Sequence, residues 1–330
     1  SGPGDLRPEG GLSEGAGTGA TRPEKPLAGG FRVHISTEEQ LLCLAEVFGG
    51  AGDKNAPARQ DALTPERLYV ENWLFSAGKI PVGEGKREKY RPGQEKTHRA
   101  LEQLEERGIA LWAALPYVLR SKDRQIMEQS LELYYQGRIQ GFLVRNLETY
   151  GWLRQEEGIQ IQLDHTMYVW NSQAAAFWRE RGCGLTCPLE LNSREWEDLL
   201  SRTSVSPEKL VYGRIPMMVT ANCIARTAGK CLKGQGCRRS EGKLTDRYRT
   251  GFPVEIRCDV CMNVVYNSVP LSLHKELSRR RNLYPRLSFT TENGRETRQI
   301  LEFFADCAAG KTGVPPYGDY TTGHEKRGVL

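Results

Sequence analysis

The chain has 330 residues, 38% of them hydrophobic and 26% charged, with a formal net charge of +5. That much apolar material can bury a substantial core without disulfide staples, and the mild charge permits a polyanionic partner such as RNA without requiring one. No run of about 18 apolar residues occurs, so no membrane span is expected, and the Gly-, Pro- and Glu-rich start lacks the pattern of a secretory signal. The chain opens on Ser1 rather than Met, as a fragment or a processed product would.

Residues 1–30 have no periodicity and are dense in Gly and Pro, which predicts a disordered linker. From Phe31 to residue 330 the pattern predicts one domain. The run FRVHIST reads as a strand and passes into EEQLLCLAEVF, a helix whose start at Thr37, Glu38 and Gln40 has the form of a capping box. Residues 49–65 read as a loop. RLYVEN is a second strand, followed by a polar loop and a helix over Gln94–Arg107.

A third strand starts at Ile109, with a helix over Ser121–Gln136; a fourth covers 141–146, with a helix from Leu147. The fifth strand is 159–164, before the helical NSQAAAFWRERG. The sixth is 184–192, with Ser193 as the expected N-cap of the next helix. The seventh is 209–214. The eighth, 286–292, is followed by a helix through Arg295–Ala308.

Strands alternating with helices predict βαβ units and a parallel sheet. Eight of them favour an α/β fold of the (β/α)8, TIM-like barrel type over an open sheet. Between strands seven and eight lies a cysteine-bearing insertion, residues 215–273, closed by an expected helix near Leu271–Arg281.

In such a barrel, chemistry sits at the carboxyl ends of the strands. Those ends present Glu71, Asn146, Asp164, His165, Glu190, Asn192 and Arg214 as candidate catalytic or substrate-binding residues. The bland alternative is that polar residues simply end strands. Asp164 and His165 are adjacent, so both can enter one site only if the strand has already ended. The chain has no nucleophile elbow, zincin helix, P-loop or dinucleotide fingerprint, which argues against the common serine hydrolases, zincins and nucleotide enzymes.

Five of nine cysteines fall in the insertion: Cys223, Cys231, Cys237, Cys258 and Cys261. This clustering favours a metal site in a reducing, cytoplasmic compartment over a disulfide framework. Cys258 and Cys261 form C-x2-C, which turns two thiolates towards one metal. With Cys223 and Cys231 they can close a tetrahedral zinc site or hold a 4Fe–4S cluster. Spacing does not separate the two, and Cys237 could replace Cys231. Cys43, Cys183, Cys187 and Cys307 read as structural.

The segments ELN (190–192), VYGRIPMM (211–218), NC (222–223), LTDRYRTGFPVEIRCDVCMNVVYNSVPLSL (244–273) and RLSFTTENGRETRQIL (286–301), with the ending YTTGHEKRGVL, resemble peptidase family U32. The resemblance runs from about Phe31 to the end and implies a (β/α)8-like barrel. It also implies either a collagenase-type peptidase or a role in hydroxylating tRNA or rRNA bases or ubiquinone, several members carrying a 4Fe–4S cluster on four cysteines. By position Cys223 and Cys231 match the family's cysteine pair after strand seven, and the C-x2-C pair completes the set.

The chain departs from the family where a Glu-x-Phe segment leading to Gly-Ala-x-Cys becomes VYGRIPMMVTANC. Longer members carry two related modules, and this one resembles the second, which implies an upstream module absent here. The leading expectation is an iron–sulfur barrel protein acting on RNA. A peptidase acting on protein or peptide, and a non-catalytic binding barrel with a structural zinc, are the alternatives.

Overall fold

The computed structural model describes residues 30–49, 64–75, 94–202, 207–231, 239–279 and 283–326. The expected linker, the loop within 49–65 and Cys237 therefore lie outside the described residues, Gly30 apart. Alternation of strand and helix is realised over the first two-thirds of the chain. β1 (Arg32–Ile35), β2 (Arg67–Glu71), β3 (Ala110–Ala114), β4 (Gly141–Val144), β5 (Ile161–Leu163) and β6 (Gly184–Leu185) pair side by side, all parallel.

β7 (Glu208–Gly213) and β13 (Tyr284–Ser288) extend the sheet on the other side of β1, again in parallel. The short β12 (Leu271–Ser272) runs antiparallel along β7. The sheet curls so far that Thr186, just after β6, bridges Glu208 of β7 in parallel, and the Cys187 N–H donates to the Glu208 carbonyl at 2.8 Å.

Helices α1 (Glu38–Phe48), α2 (Asn72–Phe75), α3 (Glu95–Glu106), α4 (Arg124–Tyr135), α5 (Leu147–Leu153), α6 (Ser172–Glu180), α7 (Ser193–Ser201) and α9 (Gly294–Ala308) alternate with these strands. No described helix is long and apolar enough to cross a membrane. α1 starts as its sequence requires. The Thr37 hydroxyl accepts from the Gln40 N–H, and the Gln40 side chain accepts from Thr37, so two end-of-helix donors are satisfied.

Side chains alternate along each strand. Val33, Ile35, Leu68, Val70, Leu111, Val144 and Leu163 pack in one large apolar cluster with the helices. The other face of the sheet is polar. Arg32, His34, Glu71, Gln162, Asp164, Glu208 and Arg286 are all buried there, beside a small cluster of Tyr69, Trp112, Ala114 and Leu143.

Three expectations are corrected. β6 spans only Gly184–Leu185 rather than 184–192; Pro188 has no N–H to give a neighbouring strand, and the chain leaves the sheet before it. The N-cap of α7 is Asn192, whose Oδ1 accepts from Arg194 and Glu195 N–H at 3.0 and 3.1 Å, while the Ser193 hydroxyl turns to Glu325. The stretch near 271–281 is β12 followed by 3-10 turns over His274–Arg279, not a regular helix.

Between β7 and β13 stands a second sheet, antiparallel and four-stranded: β8 (Pro216–Thr220), β11 (Met262–Tyr266), β10 (Gly251–Arg257) and β9 (Arg239–Thr245), in that order. A one-turn helix, α8 (Ile224–Thr227), follows β8.

Candidate functional site

The polar face of the curled sheet carries a chain of alternating charges. Arg32 Nη1 donates to Glu208 Oε1 at 2.6 Å, and Arg286 bridges Glu208 Oε2 (3.1 Å) to Asp164 Oδ1 (2.5 Å). Arg145 links Asp164 Oδ2 (3.2 Å) to Glu71 Oε1 (2.6 Å). Arg257, at the end of β10, links Glu71 Oε2 (2.8 Å) to Asp259 (2.8 Å). Four cations alternate with four carboxylates, so every charge inside the series faces opposite charge on both sides. Buried ions persist only under such pairing.

That pairing sets protonation. Burial alone would raise Glu71, but Arg145, the hydrogen bond with His34 and Arg257 outweigh it and hold the carboxyl well below the usual carboxylate range. Asp164 is likewise held low, with Arg286 the main opposing charge to its burial. Both are therefore fixed anions and weak bases.

His34 sits between them. Its Nδ1 lies 2.8 Å from Ser288 Oγ, and its Nε2 lies 3.1 Å from both Glu71 Oε1 and Arg145 Nη2. Burial, reinforced by Arg145 and Arg286 against the pull of Glu71, lowers its pKa, so the ring is neutral. Ionised Glu71 can only accept and Arg145 can only donate, so Nε2 serves one of them at a time: with its proton on Nε2 the ring donates to Glu71 and Nδ1 accepts from Ser288, and with its proton on Nδ1 it accepts from Arg145 and donates to Ser288.

At the carboxyl ends of the strands these charges border a small cavity lined by His34, Arg145, Asp164, His165, Arg214 and Arg286, with Tyr117, Tyr266, Ser288 and Thr290 completing it. β5 ends at Leu163, so Asp164 and His165 are both free of the strand and both reach the cavity. Asp164 Oδ1 accepts from the His165 backbone N–H (2.8 Å) and from Nδ1 (2.9 Å). This leaves Nε2 as the acceptor. Two buried polar atoms at the cavity lining, Arg286 Nε and Thr290 Oγ1, have no hydrogen-bond partner among the described residues.

Close approach of β7 and β13 at this mouth depends on Gly213. Its φ is +144°, and a Cβ there would stand 2.5 Å from the Ser288 carbonyl oxygen. Arg214 follows it, held by Thr291 Oγ1 (3.1 Å) and the carbonyls of Asn267 (3.1 Å) and Ser268 (2.5 Å). It also lines a larger outer cleft with Tyr212, Glu292, Ile300 and Tyr317.

The structure thus brings Asp164, His165 and Arg214 to the cavity, while Glu71 stands behind its wall, bound to His34 and Arg145. Asn146 and Asn192 are not among the cavity-lining residues; each caps a helix, Asn146 also donating to the Pro116 and Tyr117 carbonyls at 3.1 Å. Glu190 is not on the cavity either. Sequence reasoning missed His34, Arg145, Arg257, Arg286 and Ser288. The available signal was a charged or polar residue at every second position of an otherwise apolar strand, as in Arg32-Val33-His34-Ile35.

The antiparallel sheet closes over this mouth. Beside the Arg257–Glu71 pair, Arg120 donates to the Val260 carbonyl at 2.7 Å, and Tyr266 OH donates to Glu255 at 2.7 Å. The turn from β10 to β11 holds Cys258 and Cys261, with Cys261 at φ +52°. Register brings Cys223 to the same end, since Thr220 of β8 pairs with Asn263, whose Nδ2 donates to the Asn222 carbonyl at 3.0 Å.

Cys231 is exposed, and Cys223, Cys258 and Cys261 are half-buried. Among the described residues no three His, Cys, Asp or Glu side chains are gathered as a metal ion would need. Cys43, Cys183, Cys187 and Cys307 are buried, and burial pushes the Cys183 thiol up to about 11.

Comparison with known proteins gives a family. The sequence profile of peptidase family U32 matches residues 87–250, a span that includes Arg145, Asp164, His165, Arg214, Cys223 and Cys231 but not Glu71, Cys258 or Cys261. No curated protein matches the chain. A solved structure, that of the U32 peptidase Mk0906, is similar at 12% identity and a TM-score of 0.41, covering 84% of this chain and 97% of that one.

Proposed function

Because the chain belongs to peptidase family U32, we propose that it supports iron–sulfur-dependent hydroxylation of a base in tRNA or rRNA, in the reducing cytoplasm. In this reading the curled sheet is a closed (β/α)8 barrel, and residues 215–273 are an insertion that carries the cluster ligands over its mouth. One juxtaposition supports it: Arg257, next to Cys258, pairs with Glu71, which holds the cavity residues His34 and Arg145, at the sheet end shared by Cys223, Cys258 and Cys261.

Thiolates are donors for a 4Fe–4S cluster or for zinc, and Cys223, Cys231, Cys258 and Cys261 would supply them. A bound cluster supplies one-electron chemistry that side chains cannot. The chain's own residues do the rest. Asp164 keeps the proton on His165 Nδ1, so Nε2 can take one from substrate. Arg214 and Arg286 hold an anionic group, and the antiparallel sheet excludes water. An upstream module, if the full protein has one, would share the work.

The test is the absorption spectrum of protein purified without oxygen, with iron, sulfide and zinc assayed on the same sample. A broad shoulder near roughly 400 nm with about four irons per chain, bleached by Cys258→Ser, is the expected result. Turning C–H into C–OH takes one oxygen atom from a donor that is thereby reduced by two electrons, so RNA is incubated with that protein and an added oxygen-atom donor, and mass spectrometry of its nucleosides should then show the gain of one oxygen. A colourless protein holding one zinc would sink the cluster and leave the binding barrel.

Peptide hydrolysis has one observation in its favour, the line Ser288–His34–Glu71. Against it, Arg145 competes with Glu71 for His34 Nε2 at the same 3.1 Å, and only the tautomer that donates to Glu71 leaves Nδ1 free to act as a base for Ser288. Gelatin cleavage lost on Ser288→Ala would reverse this order.

A further inference from the structure

The net charge hides an uneven distribution. Between Ala221 and Thr250 stand eight Lys or Arg residues and two acids, Glu241 and Asp246, a balance of +6 that exceeds the net +5 of the whole chain. Among its described residues Arg226, Lys230, Lys243, Arg247 and Arg249 are exposed, and none has an acidic partner among the described residues. Both acids are occupied. Glu241 pairs with Arg239 at 2.8 Å, and Asp246 Oδ1 accepts from the Tyr248 and Thr250 N–H groups at 2.9 and 2.8 Å.

Asp246 thereby folds the β9–β10 turn from inside and leaves Arg247, Tyr248 and Arg249 at its tip, with Arg249 at φ +66°. Tyr248 is 72% exposed, and the Arg247 guanidinium lies 4.7 Å from its ring centroid. The basic segment of α8 is beside the same strand. Gly242 makes room for it, since a Cβ there would stand 2.6 Å from Ile224 Cδ1. Cross-strand register runs Met218–Val265–Val254–Gly242, and Leu244 shares that face. Met218 and Leu244 are exposed on it.

We propose that this hairpin tip and the adjoining outer face of the antiparallel sheet form an RNA-docking surface, with Tyr248 stacking on a base and Arg247 and Arg249 meeting backbone phosphates. The choice of partner rests on the RNA reading above. Unpaired cations around an exposed aromatic are what single-stranded nucleic acid needs: a π-face for any base and positive charge along the backbone. The same sheet covers the cavity with its other face, through Glu255 and Arg257, so RNA held outside stands next to the mouth.

The experiment is fluorescence anisotropy of a labelled mixed-sequence RNA oligonucleotide with the full chain over a range of salt. Affinity should fall with salt, and Arg247→Ala with Arg249→Ala should flatten the log–log slope by about 0.7 for each phosphate no longer neutralised. Tyr248→Ala should weaken binding by roughly ten-fold at constant slope. Wild-type affinity and slope in both variants, with circular dichroism unchanged, would overturn the surface but leave the RNA reading standing. No binding by the wild type would overturn both. Displacement of the RNA by polyglutamate at equal charge, with Tyr248→Ala silent, would overturn it in favour of an acidic protein partner.

Discussion

The two sheets solve opposite problems with the same residue types. In the parallel sheet Arg32, Arg145 and Arg286 are buried, and each is paired with a carboxylate; in the antiparallel sheet Arg247 and Arg249 are exposed and unpaired among the described residues. Buried arginines here are architecture: they hold Glu71 and Asp164 ionised and orient His34 and His165. Exposed ones leave charge available to a partner. Two cations of the antiparallel sheet depart from this: Arg239 pairs with Glu241 and Glu255, and the buried Arg257 joins the two sheets by completing the charge chain of the parallel one.

Removing one link of the buried chain should have the largest effect. Glu71→Ala leaves Arg145 and Arg257 without their shared carboxylate, and loss of one partner from a buried pair costs about 3–5 kcal/mol. Chemical denaturation should show this fall, and because Arg257 loses its tie to the parallel sheet, proteolysis should cut the antiparallel sheet first.

The next effect is acid sensitivity. His34 has a folded pKa below its unfolded value of about 6.5. The unfolded chain therefore takes up the proton first, and stability declines as pH drops below about 6.5. Glu71 and Asp164 add to this lower down. Their folded pKa values are depressed, so their contribution is full above the ordinary carboxylate range of about 4 and is lost as pH falls through the folded values. Thermal melts across pH should show both phases, and His34→Gln should shrink the upper one, to which His274, also lowered by burial, adds a part, and leave the lower in place. A melt that stays flat down to pH 5 or so would refute a buried neutral His34.

A smaller effect is expected at α7. Asn192→Ala removes the cap that accepts from two N–H groups, for a loss of about 1 kcal/mol. Ser193→Ala, had Ser193 been the cap, would have cost as much; here it removes the hydrogen bond to Glu325 and leaves the cap in place.

How far the sequence was legible follows the same division. Strand–helix alternation, the α1 capping box and the order of the parallel strands were readable because they depend on neighbours in sequence. The charge chain was not, because its pairs lie far apart: 74 positions separate Arg145 from Glu71, 122 separate Arg286 from Asp164, and 186 separate Arg257 from Glu71. Strand ends gave Asp164, His165 and Arg214 a place on the cavity, and Glu71 a place in the charge chain behind it. The same rule failed for Asn146 and Asn192, because a polar residue that ends a strand also starts the next helix, and capping took both. The antiparallel sheet was hidden by its own composition, since RSEGKLT has too few apolar residues to announce a strand.

The smallest expected change in stability is at the hairpin tip, and there the comparison is sharpest. Arg247 and Arg249 bury nothing and pair with no carboxylate among the described residues, so replacing both by Ala should leave the melting temperature unmoved. Replacing Arg145, chemically the same side chain, should unfold the mouth. If instead the tip variants melt early, those arginines are structural, and the division between a sheet that spends its cations on its own carboxylates and one that keeps them for a partner does not hold. Equal melting with altered RNA binding is the outcome that separates a surface kept for function from one kept for folding.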